Sequence, residues 1–277
     1  MNRLACKSCS LLVALLLAAP SPRPLYADPP QLSPDDHPWV KFDIGAWKQV
    51  RVVTETLDER GEITSTSTTD TTTLLEDVAK DSYQLQIDVT VEVAGRKFDA
   101  ESQHVTRGFF GESSGQTSVF KNSSATTIHI EGKRIACDVY TIEIADDQKK
   151  RVSKIYYAEQ FDPPVLRKEN LTTDAAGAVV LDETIETVVS IAMPHRVLDE
   201  IVSTWHVKTV RKHPKGRTIT IAVHSDQAPG GVVAHSSKEL DASGRMIRRS
   251  TLELVNYGLK PDRRMFLRRH LFKGRRR

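Results

Sequence analysis

Between residues 47 and 257, apolar side chains recur at every second position rather than at helical spacing. The alternation is clearest at 48–57 (KQVRVVTETL), 82–93 (SYQLQIDVTVEV), 136–144 (ACDVYTIEI), 152–157 (VSKIYY), 217–224 (RTITIAVH) and 249–257 (RSTLELVNY). Side chains of a strand point alternately to its two faces, so each run predicts a strand with one apolar and one polar side. One-sided strands suit an antiparallel sheet that covers a core. The pattern therefore predicts an all-β domain over residues 28–257 with roughly a dozen strands. It would form one large, highly curved antiparallel sheet or half-barrel. The hydroxyl-rich run 64–73 (TSTSTTDTTT) predicts an exposed strand, because threonine favours the pleated sheet. Helix is expected only in short pieces near 40–47 and 197–204.

Turn chemistry supports this layout. Three Asp-x-x-Gly tetrads join strand-like runs, Asp58 to Gly61, Asp174 to Gly177 and Asp241 to Gly244. Aspartate caps the start of such a turn, and glycine supplies the positive φ that a type I turn with a bulge requires. The last two tetrads belong to a longer internal similarity between 155–191 and 221–257, at an offset of 66 before the proline pair and 67 after it. Each unit reads strand, proline-containing loop, strand, Asp-x-x-Gly turn, strand, as duplicated meanders would. The period is too long for a short-unit solenoid.

The later unit carries Gln227-Ala228-Pro229-Gly230-Gly231-Val232-Val233 followed by Asp241 to Gly244. Val139-Tyr140, Ile155-Tyr156-Tyr157 and Pro163-Pro164-Val165-Leu166 form a weaker copy. Over roughly residues 130–257 this pattern resembles secreted bacterial proteins of unknown function with the curled sheet of LolA/LolB-like lipoprotein carriers. The resemblance implies a half-barrel whose concave face holds a hydrophobic or acyl ligand. It brings no catalytic residue, and the Pro-Pro copy departs from Pro-Gly-Gly.

The N-terminus adds a destination. Arg3 and Lys7 precede the apolar run 11–19 (LLVALLLAA). That run is too short for a bilayer, which takes about 20 residues, and suits a secretory signal peptide. Residues 1–27 are read as the signal, with cleavage expected after Ala27 or, second, Ala19, and the mature protein as periplasmic or secreted. Cys6 and Cys9 precede the apolar run, so no lipid attachment is expected, and no later run suggests a transmembrane helix. Cys137 alone remains after cleavage, which excludes an internal disulfide.

Charge changes the picture further. The formal net charge is +3, but residues 28–257 carry 27 basic and 35 acidic side chains. The tail, residues 258–277, carries nine basic residues and one acidic residue. Arg263, Arg264, Arg268, Arg269, Lys273, Arg275, Arg276 and Arg277 are its candidate contacts with an anionic membrane surface or another polyanion.

No motif of catalysis stands out. There is no phosphate-cradling glycine loop, no G-x-S-x-G elbow and no HExxH. His224 and His235 flank the Pro-Gly-Gly loop, and Asp35, Asp36 and His37 could hold a cation loosely, but both sets read more simply as polar surface. Asn122 and Asn170 begin glycosylation acceptor triplets that matter only in a eukaryotic host. No metal and no cofactor is expected. Trp39 and Trp47 are expected to anchor the N-terminus or plug one end of the sheet. With Pro229, Gly230 and Gly231 they are also the candidate ligand-binding residues. The sequence thus points first to a non-catalytic binding protein. An envelope interaction protein using the acidic body and basic tail comes second, and a hydrolase third.

Overall fold

A computed structural model describes residues 36–113 and 116–260, leaving aside the side chains of Thr117, Lys121, Asn122 and Ser123. The expected signal and the basic tail from Arg263 onward lie outside the described residues. Among the described residues, fourteen strands form one antiparallel sheet. They are β1 (Trp47–Leu57), β2 (Ile63–Val78), β3 (Ser82–Val93), β4 (Arg96–Asp99), β5 (Gln103–Gly108), β6 (Thr117–Ile130) and β7 (Lys133–Ala145). There follow β8 (Lys149–Tyr157), β9 (Val165–Asp174), β10 (Val180–Val197), β11 (Glu200–His213), β12 (Gly216–His224), β13 (Val232–Asp241) and β14 (Met246–Gly258).

The spatial order is β4-β3-β2-β1-β14-β13-β12-β11-β10-β9-β8-β7-β6, with β5 also pairing β3. Every neighbour in that order is a hairpin partner except β1 and β14, the first and last described strands; the β3–β5 pair spans β4. The sheet is strongly curved and does not close into a barrel, since β6 and the β4/β5 side pair only inward. The all-β expectation holds, and the six alternating runs each fall within or nearly match a strand. The hydroxyl-rich run lies within β2, between β1 and β3.

The two expected helices do not form. Residues 40–46 are consecutive turns held by Phe42 N–H to Trp39 O (3.1 Å) and Ala46 N–H to Asp43 O (3.0 Å). Gly45, at φ 94°, breaks any helical run there. Residues 197–204 are the β10–β11 hairpin, whose tight turn begins at Leu198 with φ 52° between the paired Val197 and Glu200. Among the described residues there is no α-helix, and none long and apolar enough to cross a membrane.

The Asp-x-x-Gly tetrads make one recurring turn. In each, the glycine N–H donates to the aspartate carbonyl, at 3.2, 3.0 and 3.0 Å, and the glycine φ is 82°, 75° and 87°. In each, the aspartate Oδ1 also accepts a backbone N–H beyond the turn, from Glu62, Ala178 and Arg245. The loops of the two similar units close alike, by Ala158 N–H to Pro164 O and by Ser225 N–H to Gly231 O, both 2.8 Å. These bonds lie 67 residues apart, as do Asp174 and Asp241, so a single offset relates the units from the loop onward.

Register is fixed by side chains that meet directly across strands. Arg51 faces Asp70 in a bidentate pair (2.8 and 2.9 Å), Arg249 pairs Glu55, and Lys212 pairs Glu183 (3.1 Å). Exposed pairs add little stability each. A one-residue slip would nevertheless move every side chain to the wrong face. At Gly216 the backbone has φ 146°, and a Cβ would stand 2.0 Å from the Leu240 carbonyl oxygen. Gly216→Ala is therefore expected to cost about 2 kcal/mol or more by strain and overpacking, read as a lower urea midpoint with unchanged slope.

Among the described residues, four apolar clusters lie along the curve. The largest joins the β6–β7 hairpin end (Ile130, Ile135, Cys137) to Leu166 and Val188 of β9 and β10, with Trp205 and Val207 packed against it. Cys137 is 4% exposed, and burial pushes its thiol pKa up, so it acts as a small apolar core residue.

Candidate functional site

A cavity of about 470 Å³ opens at the end of the sheet where three connections converge. These are the N-terminal turns (Asp36, Pro38, Lys41), the β8–β9 loop (Asp162, Pro163, Pro164) and the β12–β13 loop (Ser225, Asp226, Gly231). Its wall is the inner face of β9 to β12. Pairing of Leu166 with Val188 and of Val188 with Val207 follows from register and alternation, as does that of Trp205 with His224. Lys168 and Glu186 are directly opposite on the same face. The wall is thus apolar at Leu166, Val188, Trp205 and Val207, with Lys168 and Glu186 set into it and Arg167 and Lys41 also lining the cavity. Asp36, Asp162 and Asp226 stand exposed at the rim.

The polar groups are neutral or lightly held. His224 stacks on Trp205 with ring centroids 5.8 Å apart and planes at 24°. Burial first, and the Lys48 charge second, lower its pKa to about 4. His37 Nδ1 accepts the backbone N–H groups of Trp39 and Val40, both at 3.2 Å, so its ring must be neutral to hold the turn. Burial, with Lys168 nearby, lowers its pKa to about 4. Lys168 is pushed below its ordinary range by burial, opposed by Glu186. Its ammonium makes no hydrogen bond or ion pair among the described residues, even though Glu186 is its cross-strand neighbour. Further along β9, a smaller polar cavity of about 200 Å³ is lined by Arg107, Lys149, Arg151 and Thr172.

The sequence candidates build the wall more than they line it. Trp39 (8% exposed) packs on Leu75 and Leu85, with the Lys48 ammonium 5.6 Å from its ring centroid. Lys48, its pKa lowered to about 8 by burial, donates to Val232 O at 3.3 Å. Trp47 is buried beside Gly258, where an added Cβ would stand 2.5 Å from the indole nitrogen. Pro229 is fully buried, and Gly230 N–H donates to Pro38 O at 2.7 Å while lying against Trp39. Gly231 alone of the five lines the cavity, 3.4 Å from His224 Nδ1 to a built Cβ. The N-terminal turns thus seat on the Pro-Gly-Gly loop and close one side of the cavity.

His235 pairs with Ala222, so it shares a face with His224 two positions along. Among the described residues no group of three His, Cys, Asp or Glu side chains is placed to hold a metal. The sequence His224-Ser225-Asp226 does not form a nucleophile and base. Ser225 is buried, and its Oγ accepts the Gln227 N–H at 3.3 Å.

No protein family and no curated protein matches the chain. Solved structures are similar only distantly. One is a protein from Bacteroides fragilis described as exported, with a YmcC-like fold, at 9% identity and TM-score 0.33, covering 78% of this chain and 97% of its own. A protein from Parabacteroides distasonis described as a lipoprotein has 9% identity and TM-score 0.30, covering 78% and 98%. A mutant porin of Rh. blastica has 9% identity and TM-score 0.29, covering 76% and 99%. At these scores neither fold nor function passes from those proteins to this chain.

Sequence reasoning missed Lys168, Glu186 and Trp205 as cavity residues. Their face is set by pairing partners far along the chain, and residues 165–174 (VLRKENLTTD) read as an ordinary polar strand.

Proposed function

We propose that this protein is an exported, non-catalytic carrier that holds a partly apolar small molecule in the cavity on β9 to β12. The cavity itself is the observation that carries the reading. Its volume falls in the range of small-molecule sites, which run about 300–1,000 Å³ and are mostly apolar with a few placed polar groups. The apolar start of the sequence supports export, and the Pro-Gly-Gly motif supports the LolA/LolB-like carrier comparison. Titration with the uncharged fluorophore N-phenyl-1-naphthylamine tests it. Saturable binding is expected, with roughly tenfold weaker affinity in Trp205→Ala, which removes the aromatic wall. No binding, or equal binding by the variant, counts against the cavity as the site.

A further inference from the structure

The cavity contains one feature that a purely apolar carrier would not need. Lys168 sits on the inner face of β9 between Leu166 and Asn170, next to an apolar wall. A cation taken from water into such surroundings is costly unless it is paired. Register places Glu186 directly across the strand pair, yet no ion pair of 4 Å or less forms. The remaining groups near it do not neutralise it. His37 is held neutral by the two backbone N–H groups that it accepts. Arg151 adds a like charge, and Glu112 is an acid acting at longer range. The three carboxylates at the rim are exposed, where water screens them. Lys168 is thus a part-buried ammonium without a hydrogen-bond or ion-pair partner among the described residues, on a wall that otherwise offers Trp205, Val188 and Val207.

Resting on the carrier reading above, we propose that the cavity selects single-chain amphiphiles with an anionic head, the head on the Lys168 ammonium and the chain along Leu166, Val188, Trp205 and Val207. Such a head would supply an acceptor for Lys168, and charge-assisted hydrogen bonds are among the strong ones. Carboxylate and phosphate heads share this chemistry. A fatty acid and a lysophospholipid-like phosphate are the two sources to separate.

The test is calorimetric titration of the mature protein with decanoate, decyl phosphate, decanol and decylammonium, each below its micelle concentration. Decanoate or decyl phosphate is expected to bind roughly 10- to 100-fold more tightly than decanol, the span of a hydrogen bond to a charged group. The tighter of the two names the head. In Lys168→Met that preference is expected to vanish while decanol affinity stays within about threefold, and Lys168→Arg should restore most of it. The Lys168→Met protein should also melt at least as high as the parent, since it no longer buries a cation. Equal affinity for all four chains, or a preference for decylammonium, overturns the anionic-head inference while leaving the carrier reading standing. Failure of decanol and both anions to bind at all overturns the carrier reading with it.

Discussion

Trp39→Ala is expected to lower the melting temperature by roughly 10 °C or more. Trp39 is the largest side chain in the cluster with Leu75 and Leu85, and Val78, Tyr83 and Ile87 pack around it. Deleting a buried tryptophan costs about 3–5 kcal/mol through lost transfer energy and an unfilled hole. In a domain of this size each kcal/mol is worth about 2–4 °C. The effect extends beyond β2 and β3. The same ring supports Lys48 from one side and lies against Gly230 of the β12–β13 loop. Pro38, one residue before it, accepts the Gly230 N–H. Losing the ring therefore unseats the N-terminal turns from that loop, and probe affinity should fall together with stability. Trp39→Phe, which keeps most of the apolar volume, should recover more than half of the loss. Thermal unfolding followed by far-ultraviolet circular dichroism reads all three proteins. A shift below about 3 °C for Trp39→Ala would mean that the segment does not brace the sheet.

Acid is expected to destabilise the protein in a defined window. His37 and His224 have folded pKa values of about 4, against 6.5 in an unfolded chain. The unfolded state therefore takes up protons first. The stability that the two neutral rings contribute is complete above pH 6.5 and is lost as pH falls toward 4. Each ring accounts for at most about 2–3 kcal/mol across that window. Protonation of His37 would also remove the acceptor of the Trp39 and Val40 N–H groups. His37→Asn offers an acceptor oxygen near the place of Nδ1 without titrating. Its urea midpoint should fall less between pH 6.5 and 4 than that of the parent. Identical pH profiles for the two proteins would show that His37 is not held neutral by the fold.

Much of the fold was legible because alternation and turn chemistry agree locally. Residues 82–93 read as a strand from their pattern, and they form β3 with those bounds. The Asp-x-x-Gly tetrads read as turns because both their polar cap and their positive φ are properties of single residues. The failures have equally local causes. Residues 197–204 carry Asp199 but no glycine or proline to mark a turn, and the chain reverses there by placing Leu198 at positive φ. Residues 40–46 form a series of turns and bends because Gly45 sits at positive φ and the segment before them seats on the Pro-Gly-Gly loop. The site was hidden for a different reason. Nothing near Lys168 in the sequence marks its face as inner. Pairing with Glu186 and the packing of Leu166 on the β6–β7 hairpin decide that, over long sequence separations. Trp205 likewise becomes a cavity wall only because β11 and β12 bring it onto His224.

The central claim is that the cavity on β9 to β12 carries a small amphiphile in the living cell. Native mass spectrometry of the protein purified from its own host, followed by solvent extraction, tests that most directly. The account predicts a one-to-one adduct that leaves on collisional activation and is recovered as a single-chain anion. It predicts the same adduct to be lost or replaced by neutral species in Lys168→Met. A protein that flies only at its apo mass, with no extractable amphiphile and no uptake of added decanoate or decanol, would contradict it.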